Sequence, residues 1–254
     1  MLNIHATKKN AKTLFTLAMV GCLALAAPAF AARPLITNDF SIVSEGKYEL
    51  EVGYMATENQ NCSVGNIDML LKHGIFKNLE LSLEIPYTVS DLPGRMAGFD
   101  DFYLHAEYCC WTWGENEGLA VRADYKFNNG DISHGLSSGD NDYWLGLIVS
   151  QMFGHTKTHY NLGYVNEGYN AGRQEDDYVA YSAALEYPAF GKKGDLVAEL
   201  VGNTSLALAP NPLFVQVGGR YVLVEGFKLD AAYGIGLNDN SIKNSFTAGM
   251  HWEL

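Results

Sequence analysis

Apolar and polar residues alternate one for one along most of this chain. The clearest run is Leu79-Glu80-Leu81-Ser82-Leu83-Glu84-Ile85-Pro86-Tyr87, where every odd position is apolar and nearly every even one polar. Successive side chains of a strand point to opposite faces, so the pattern predicts a strand with one apolar and one polar face. Twelve such segments are predicted, near 47–56, 66–73, 79–87, 99–110, 118–127, 142–152, 158–165, 178–187, 195–202, 213–223, 227–237 and 245–254. The last places Phe246, Ala248, Met250, Trp252 and Leu254 on one face and Thr247, Gly249, His251 and Glu253 on the other.

Alternation alone fits a soluble sandwich, with its leucines between two sheets, as well as a membrane barrel, with its leucines against lipid. Segment length favours the barrel. Many of the twelve run to about 10 residues, which a tilted strand needs to cross the hydrocarbon layer, whereas strands of soluble domains average about 5–6. The connections also alternate in length. Short ones fall at Gly74–Asn78, Trp111–Glu117, Phe153–Lys157, Pro188–Gly194 and Val224–Gly226. Longer polar ones fall at Thr57–Gly65, Thr88–Gly98, Asn128–Asn141, Asn166–Asp177, Asn203–Pro212 and Asn238–Asn244. The expected fold is therefore all-β: a single antiparallel transmembrane β-barrel of about 12 strands, with short periplasmic turns and longer extracellular loops.

The aromatic residues agree with this orientation. Tyr48, Tyr108, Tyr160, Tyr187, Tyr221 and Trp252 fall on the outward phase near the periplasmic ends, and Tyr54, Tyr87, Phe127 and Tyr143 near the external ends. Two such girdles mark the membrane–water interfaces. Ahead of the strands, Lys8, Lys9 and Lys12 precede an apolar run from Leu14 to Leu25, and Ala29-Phe30-Ala31 is a small-x-small cleavage site. The expected organisation is a cleaved signal peptide over 1–31, a periplasmic N-terminal segment over 32–46 and the barrel over 47–254, in the bacterial outer membrane. A lipoprotein reading through Cys22 is disfavoured by Met19 at the first position of its motif.

Composition adds 48% hydrophobic residues, 15 Tyr, 12 Phe and 26 Gly, a mix suited to strands and tight turns. Removing residues 1–31 takes away three lysines and no acids, moving the formal charge from −12 to −15. Such acidity argues against nucleic acid as a partner. It fits acidic external loops that hold divalent cations beside lipopolysaccharide, so outer-membrane lipid and lipopolysaccharide are the expected partners. Gly249, Trp252 and Leu254 resemble a terminal signal for the barrel-assembly machinery. Cys62, Cys109 and Cys110 are read as free thiols.

The inward phase carries both signs of charge. Glu84, Asp101, Arg122, Asp124, Glu199, Arg220 and Asp230 are the candidate pore-lining residues. Paired, they would brace the wall; solvated, their acidic excess would favour neutral or cationic solutes. No catalytic or metal site is predicted and no cofactor is implied: the seven histidines are scattered, with only His155 and His159 close in sequence. A barrel lipid hydrolase would need a paired serine and histidine, for which His134 with Ser133, Ser137 or Ser138 is the nearest set. A structural or adhesive barrel is the other alternative. The acidic clusters Asp140-Asn141-Asp142 and Glu175-Asp176-Asp177 lack the spacing of a calcium loop.

Further stretches carry a family resemblance. Arg33-Pro34-Leu35-Ile36-Thr37-Asn38-Asp39, Leu50-Glu51-Val52-Gly53-Tyr54, His73-Gly74-Ile75 and Ile85-Pro86-Tyr87 are followed by Asn129-Gly130-Asp131, Gly135-Leu136-Ser137-Ser138-Gly139 and Asn161-Leu162-Gly163-Tyr164. Together they resemble the outer-membrane transporter family described as the "MetA-pathway of phenol degradation" family. Asn38 departs from that family's usual acid, and Phe127-Asn128 from its usual Leu-Pro. The resemblance implies a channel for small solutes, possibly hydrophobic or aromatic compounds, with no catalytic residues to carry over.

Overall fold

The computed structural model describes residues 33–59, 63–90, 96–168, 177–204 and 211–254. The expected leader, Cys22, Cys62 and Glu175-Asp176 lie outside them. Among the described residues the strands are β1 (Tyr48–Glu58), β2 (Ser63–Phe76), β3 (Leu79–Ser90), β4 (Gly98–Phe99), β5 (Tyr103–Gly114), β6 (Glu117–Lys126), β7 (Asp142–Phe153), β8 (Thr156–Asn166), β9 (Tyr178–Ala189), β10 (Gly194–Asn203), β11 (Leu213–Val224), β12 (Phe227–Gly236) and β13 (Asn244–Glu253).

Each long strand pairs antiparallel with the next, and β13 returns to β1 in a ladder from Glu49↔Glu253 to Glu58↔Asn244. That ladder closes a twelve-stranded barrel. The thirteenth strand, β4, only pairs Phe99 and Gly98 with Tyr87 and Thr88 of β3. Closure leaves no free sheet edge, which a strand in hydrocarbon requires because no water is there to satisfy its backbone.

The two faces settle the choice between sandwich and barrel. Outward Leu145 and Leu162 are 59% and 56% exposed, while inward Glu51 and Glu84 are 1% and 0% exposed. A soluble sandwich would show the reverse. The girdle residues Tyr48, Tyr108, Tyr160, Tyr187, Tyr221 and Trp252 are all exposed on the outer face, as are Tyr54, Phe127 and Tyr143 at the other end.

Most strand ends fall within three residues of the pattern reading, and the largest shifts are in the segment expected over 99–110. It runs as β5 from Tyr103 to Gly114, and the turn after it is only Glu115-Asn116. Register shifts between Cys109 and Trp111 and between Thr112 and Gly114 break the period of two there, which hides the end of the strand from an alternation count. Cys109 and Cys110 sit in this irregular stretch as free thiols.

The larger difference concerns residues 32–46, expected below the barrel in the periplasm. From Arg33 to Val43 the described part of this segment runs inside the lumen, where Arg33, Leu35, Thr37, Asn38, Phe40 and Val43 are all buried. It leaves beside β2, where Glu45 bridges to Gly74 and the Gly46 N–H donates to the Gly74 carbonyl at 2.8 Å.

Candidate functional site

The strap formed by Arg33–Val43 has no strand partner for its backbone, so its N–H groups need other acceptors. The wall's inward polar side chains supply them. Glu199 on β10 accepts from the Ile36 and Thr37 N–H groups and from the Thr37 hydroxyl, at 2.7–3.0 Å. Asn161 on β8 accepts from the Asn38 N–H at 2.7 Å and donates to the Asn38 carbonyl at 2.8 Å. Ser150 on β7 accepts from the Phe40 N–H at 3.1 Å, and Glu80 on β3 from the Val43 N–H at 2.7 Å. Hydrogen bonds to charged acceptors such as Glu199 and Glu80 each contribute about 1.5–3 kcal/mol, so the strap is held along its length.

Two apolar side chains add to the hold. Leu35 packs with Ala184 and Val197, and Phe40 with Ala120 and Ile148. At the far end the Arg33 guanidinium donates to Asp230 at 3.3 and 3.4 Å and to Thr247 at 2.8 Å. Its bed is a notch made by Gly53 and Gly249, which face each other in register. A Cβ at Gly53 would stand 1.7 Å from the guanidinium, and one at Gly249 2.4 Å from it. Any side chain at either position displaces the arginine.

The seven candidate lumen residues therefore separate by partner. Glu199 and Asp230 hold the strap. Arg122 does too: it donates to the Asn38 side-chain oxygen at 2.7 Å, to Asp124 at 2.7 Å, and lies 2.8 Å from His105 Nδ1. His105 Nε2 in turn meets Glu84 at 3.0 Å, so Glu84, His105, Arg122 and Asp124 form one buried network on β3, β5 and β6. Arg220 on β11 pairs instead with Glu186 of β9, beside open lumen space. Asp101, expected on the inward face of the segment 99–110, precedes β5. It accepts from the Asn129, Gly130 and Ser138 N–H groups and the Ser137 hydroxyl, at 2.8–3.3 Å, and so ties down the 128–141 loop.

The open space is a cavity of about 260 Å³ between the strap and the short-connection end of the barrel. Its wall carries Asp39, Glu49, Glu51, Glu80, Glu107, Glu186 and Asp195 against Lys72, Arg122, Lys157, Arg220 and Lys228, with His105 and His251. Several buried polar atoms of these residues lack a hydrogen-bond partner: Glu51 Oε2, Glu107 Oε1, Arg220 Nε and His251 Nε2. The opposite half of the lumen is different in character. Tyr103, Trp144, Tyr178 and Phe214 stand on the inward phase of β5, β7, β9 and β11, close to the long-loop end of each strand.

The lipase arrangement does not form. His134 Nδ1 and the Ser133 hydroxyl both turn to Asp131, at 2.6 Å each, and Ser137 donates to Asp101. Asp131, capping the short helical turn Ile132–His134, has its carboxyl held down to about 2 by hydrogen bonds from Ser133 and His134.

A closed twelve-stranded barrel with an apolar, aromatic-belted exterior and a charged lumen defines the class: a bacterial outer-membrane β-barrel. Solved structures of that class share its fold. An outer membrane channel from Pseudomonas putida F1 is 13% identical with a TM-score of 0.64, over 85% of this chain and 98% of that one. The NanC porin is 11% identical with a TM-score of 0.61, over 82% and 100%. The KdgM porin, in complex with disordered oligogalacturonate, is 10% identical with a TM-score of 0.59, over 81% and 99%. No family model matches the chain, and no curated protein matches it. The "MetA-pathway of phenol degradation" kinship is accordingly unconfirmed.

Proposed function

We propose that this protein is an outer-membrane channel that passes small water-soluble solutes beside a strap made of its own residues 33–43. The observation that carries this reading is the charged lumenal cavity, because buried polar atoms without a partner are costly unless water or a polar solute meets them. At about 30 Å³ per molecule the cavity has room for roughly eight waters. Its acids outnumber its bases, so neutral and cationic solutes are favoured over anions. The porins and channel of like fold support the same class of activity.

A second reading, passage of aromatic compounds, draws on Tyr103, Trp144, Tyr178 and Phe214 at the long-loop half of the lumen. The cavity beyond them offers little apolar surface, with Ile42, Val43, Leu70 and Val222 among its lining. Polar solutes are therefore the main expectation.

Swelling of liposomes that contain the refolded protein tests both readings. A neutral monosaccharide and lysine should enter faster than glutamate. Faster entry of glutamate would overturn the charge argument. No swelling with any solute, together with release of fatty acid from phospholipid, would replace the channel with the hydrolase.

A further inference from the structure

We propose that Glu49, His251 and Glu253 form a zinc-binding site at the short-connection mouth of the barrel. No sequence spacing links Glu49 to the other two. The β1–β13 ladder that closes the barrel sets Glu49 against Glu253 and Glu51 against His251. One ligand atom from each of Glu49, His251 and Glu253 then lies within 4.8 Å of the others.

The distances favour a shared cation over direct hydrogen bonds. His251 Nε2 is buried without a hydrogen-bond partner, 3.6 Å from a Glu49 oxygen and 3.7 Å from a Glu253 oxygen. Those separations are long for hydrogen bonds. They are near the ~3.3 Å between ligand atoms that tetrahedral Zn²⁺ geometry gives with bonds of ~2.0–2.1 Å. On the other side of the ring, His251 Nδ1 faces a Glu51 oxygen at 3.4 Å, and Lys72 holds that oxygen at 2.6 Å. A buried carboxylate behind the distal nitrogen is the arrangement that fixes ring orientation in zinc sites and raises ligand basicity.

Access and donor type agree. Glu49 and Glu253 also line a second cavity, of about 420 Å³, at the barrel mouth by Lys47 and Glu225. One imidazole and two carboxylates suit Zn²⁺, leaving a fourth position for water. Lys228, 3.1 Å from Glu253, is the competing cation, and its half-exposed side chain has room to swing away.

The test is a titration of the refolded mature protein with Zn²⁺ alone, competed against a chromophoric chelator. One Zn²⁺ should bind per barrel. His251→Ala and Glu49→Gln should each weaken binding by at least about 10-fold, and Lys228→Ala should tighten it. Circular dichroism and heat-dependent gel mobility establish that each variant is folded. Absence of stoichiometric binding in the wild type overturns the proposal, and so does binding that survives His251→Ala unchanged. Because the readout is binding, its failure leaves the channel reading standing, and a barrel that conducts nothing can still hold the ion.

Discussion

Arg122 and Arg220 are both inward arginines on the barrel wall, each paired with an acid, yet their surroundings differ. Arg122 is enclosed by Asp124, His105 and the strap's Asn38, and its guanidinium links the wall to residue 38. Arg220 pairs through Nη2 with Glu186 but keeps its buried Nε without a hydrogen-bond partner at the edge of the cavity. Identical charge on the same phase of the sheet thus serves two ends, and the strap decides which. Where it touches the wall, charge is scaffold; where it leaves a gap, charge faces the cavity.

The largest expected effect on this contrast comes from Arg122→Ala. Removing one member of a buried charge network leaves Asp124 without its guanidinium partner and Asp124 and Glu84 with His105 alone, at a cost of up to about 3–5 kcal/mol. Urea-induced loss of the heat-modifiable gel band should shift markedly to lower denaturant. Arg220→Ala should shift it less, because Glu186 can be solvated from the cavity. Equal shifts would erase the distinction between the two sides.

Next in size is the effect on ion preference. If Arg220 faces the solute path, Arg220→Ala should move the reversal potential across a salt gradient toward cations. The change should shrink near 1 M salt, where the Debye length is about 3 Å. A folded Arg220→Ala variant with an unaltered reversal potential would take this residue out of the conducting surface.

The smallest effect belongs to the loop 128–141. Because the Asp131 carboxyl is depressed to about 2, its contribution to loop order is present above the ordinary carboxylate value of about 3.9 and is lost as pH falls between that value and about 2. Pepsin cleavage within 128–141 should therefore rise over that window in the wild type. Asp131→Asn should show the higher cleavage already at pH 4; equal cleavage of the two proteins there would remove Asp131 from the ordering of the loop.

Much of this was legible in the sequence. All twelve barrel strands and their inward phase follow from alternation, since every outward residue in the girdles is where the period of two puts it. The strap was not legible, because Arg33–Val43 has no alternation and the contacts that hold it to the wall are long-range, from Glu80 to Thr247. Its traces were indirect. Gly53 and Gly249 fall on inward positions opposite each other, and Glu80, Asn161 and Glu199 are inward polar groups with no wall partner evident in the pattern. Asp101 differs for another reason: residues 100–102 between β4 and β5 are not strand, so the alternation read over 99–110 runs on through a loop.

The account rests on the strap narrowing a lumen that conducts, and the Gly53 notch allows that to be tested without altering the strap's own sequence. Single-channel recordings in planar bilayers should compare the wild type with Gly53→Leu, whose side chain takes the place of the Arg33 guanidinium. The account predicts small discrete openings for the wild type and larger or longer ones for the variant. Equal conductance in the two folded proteins would contradict it.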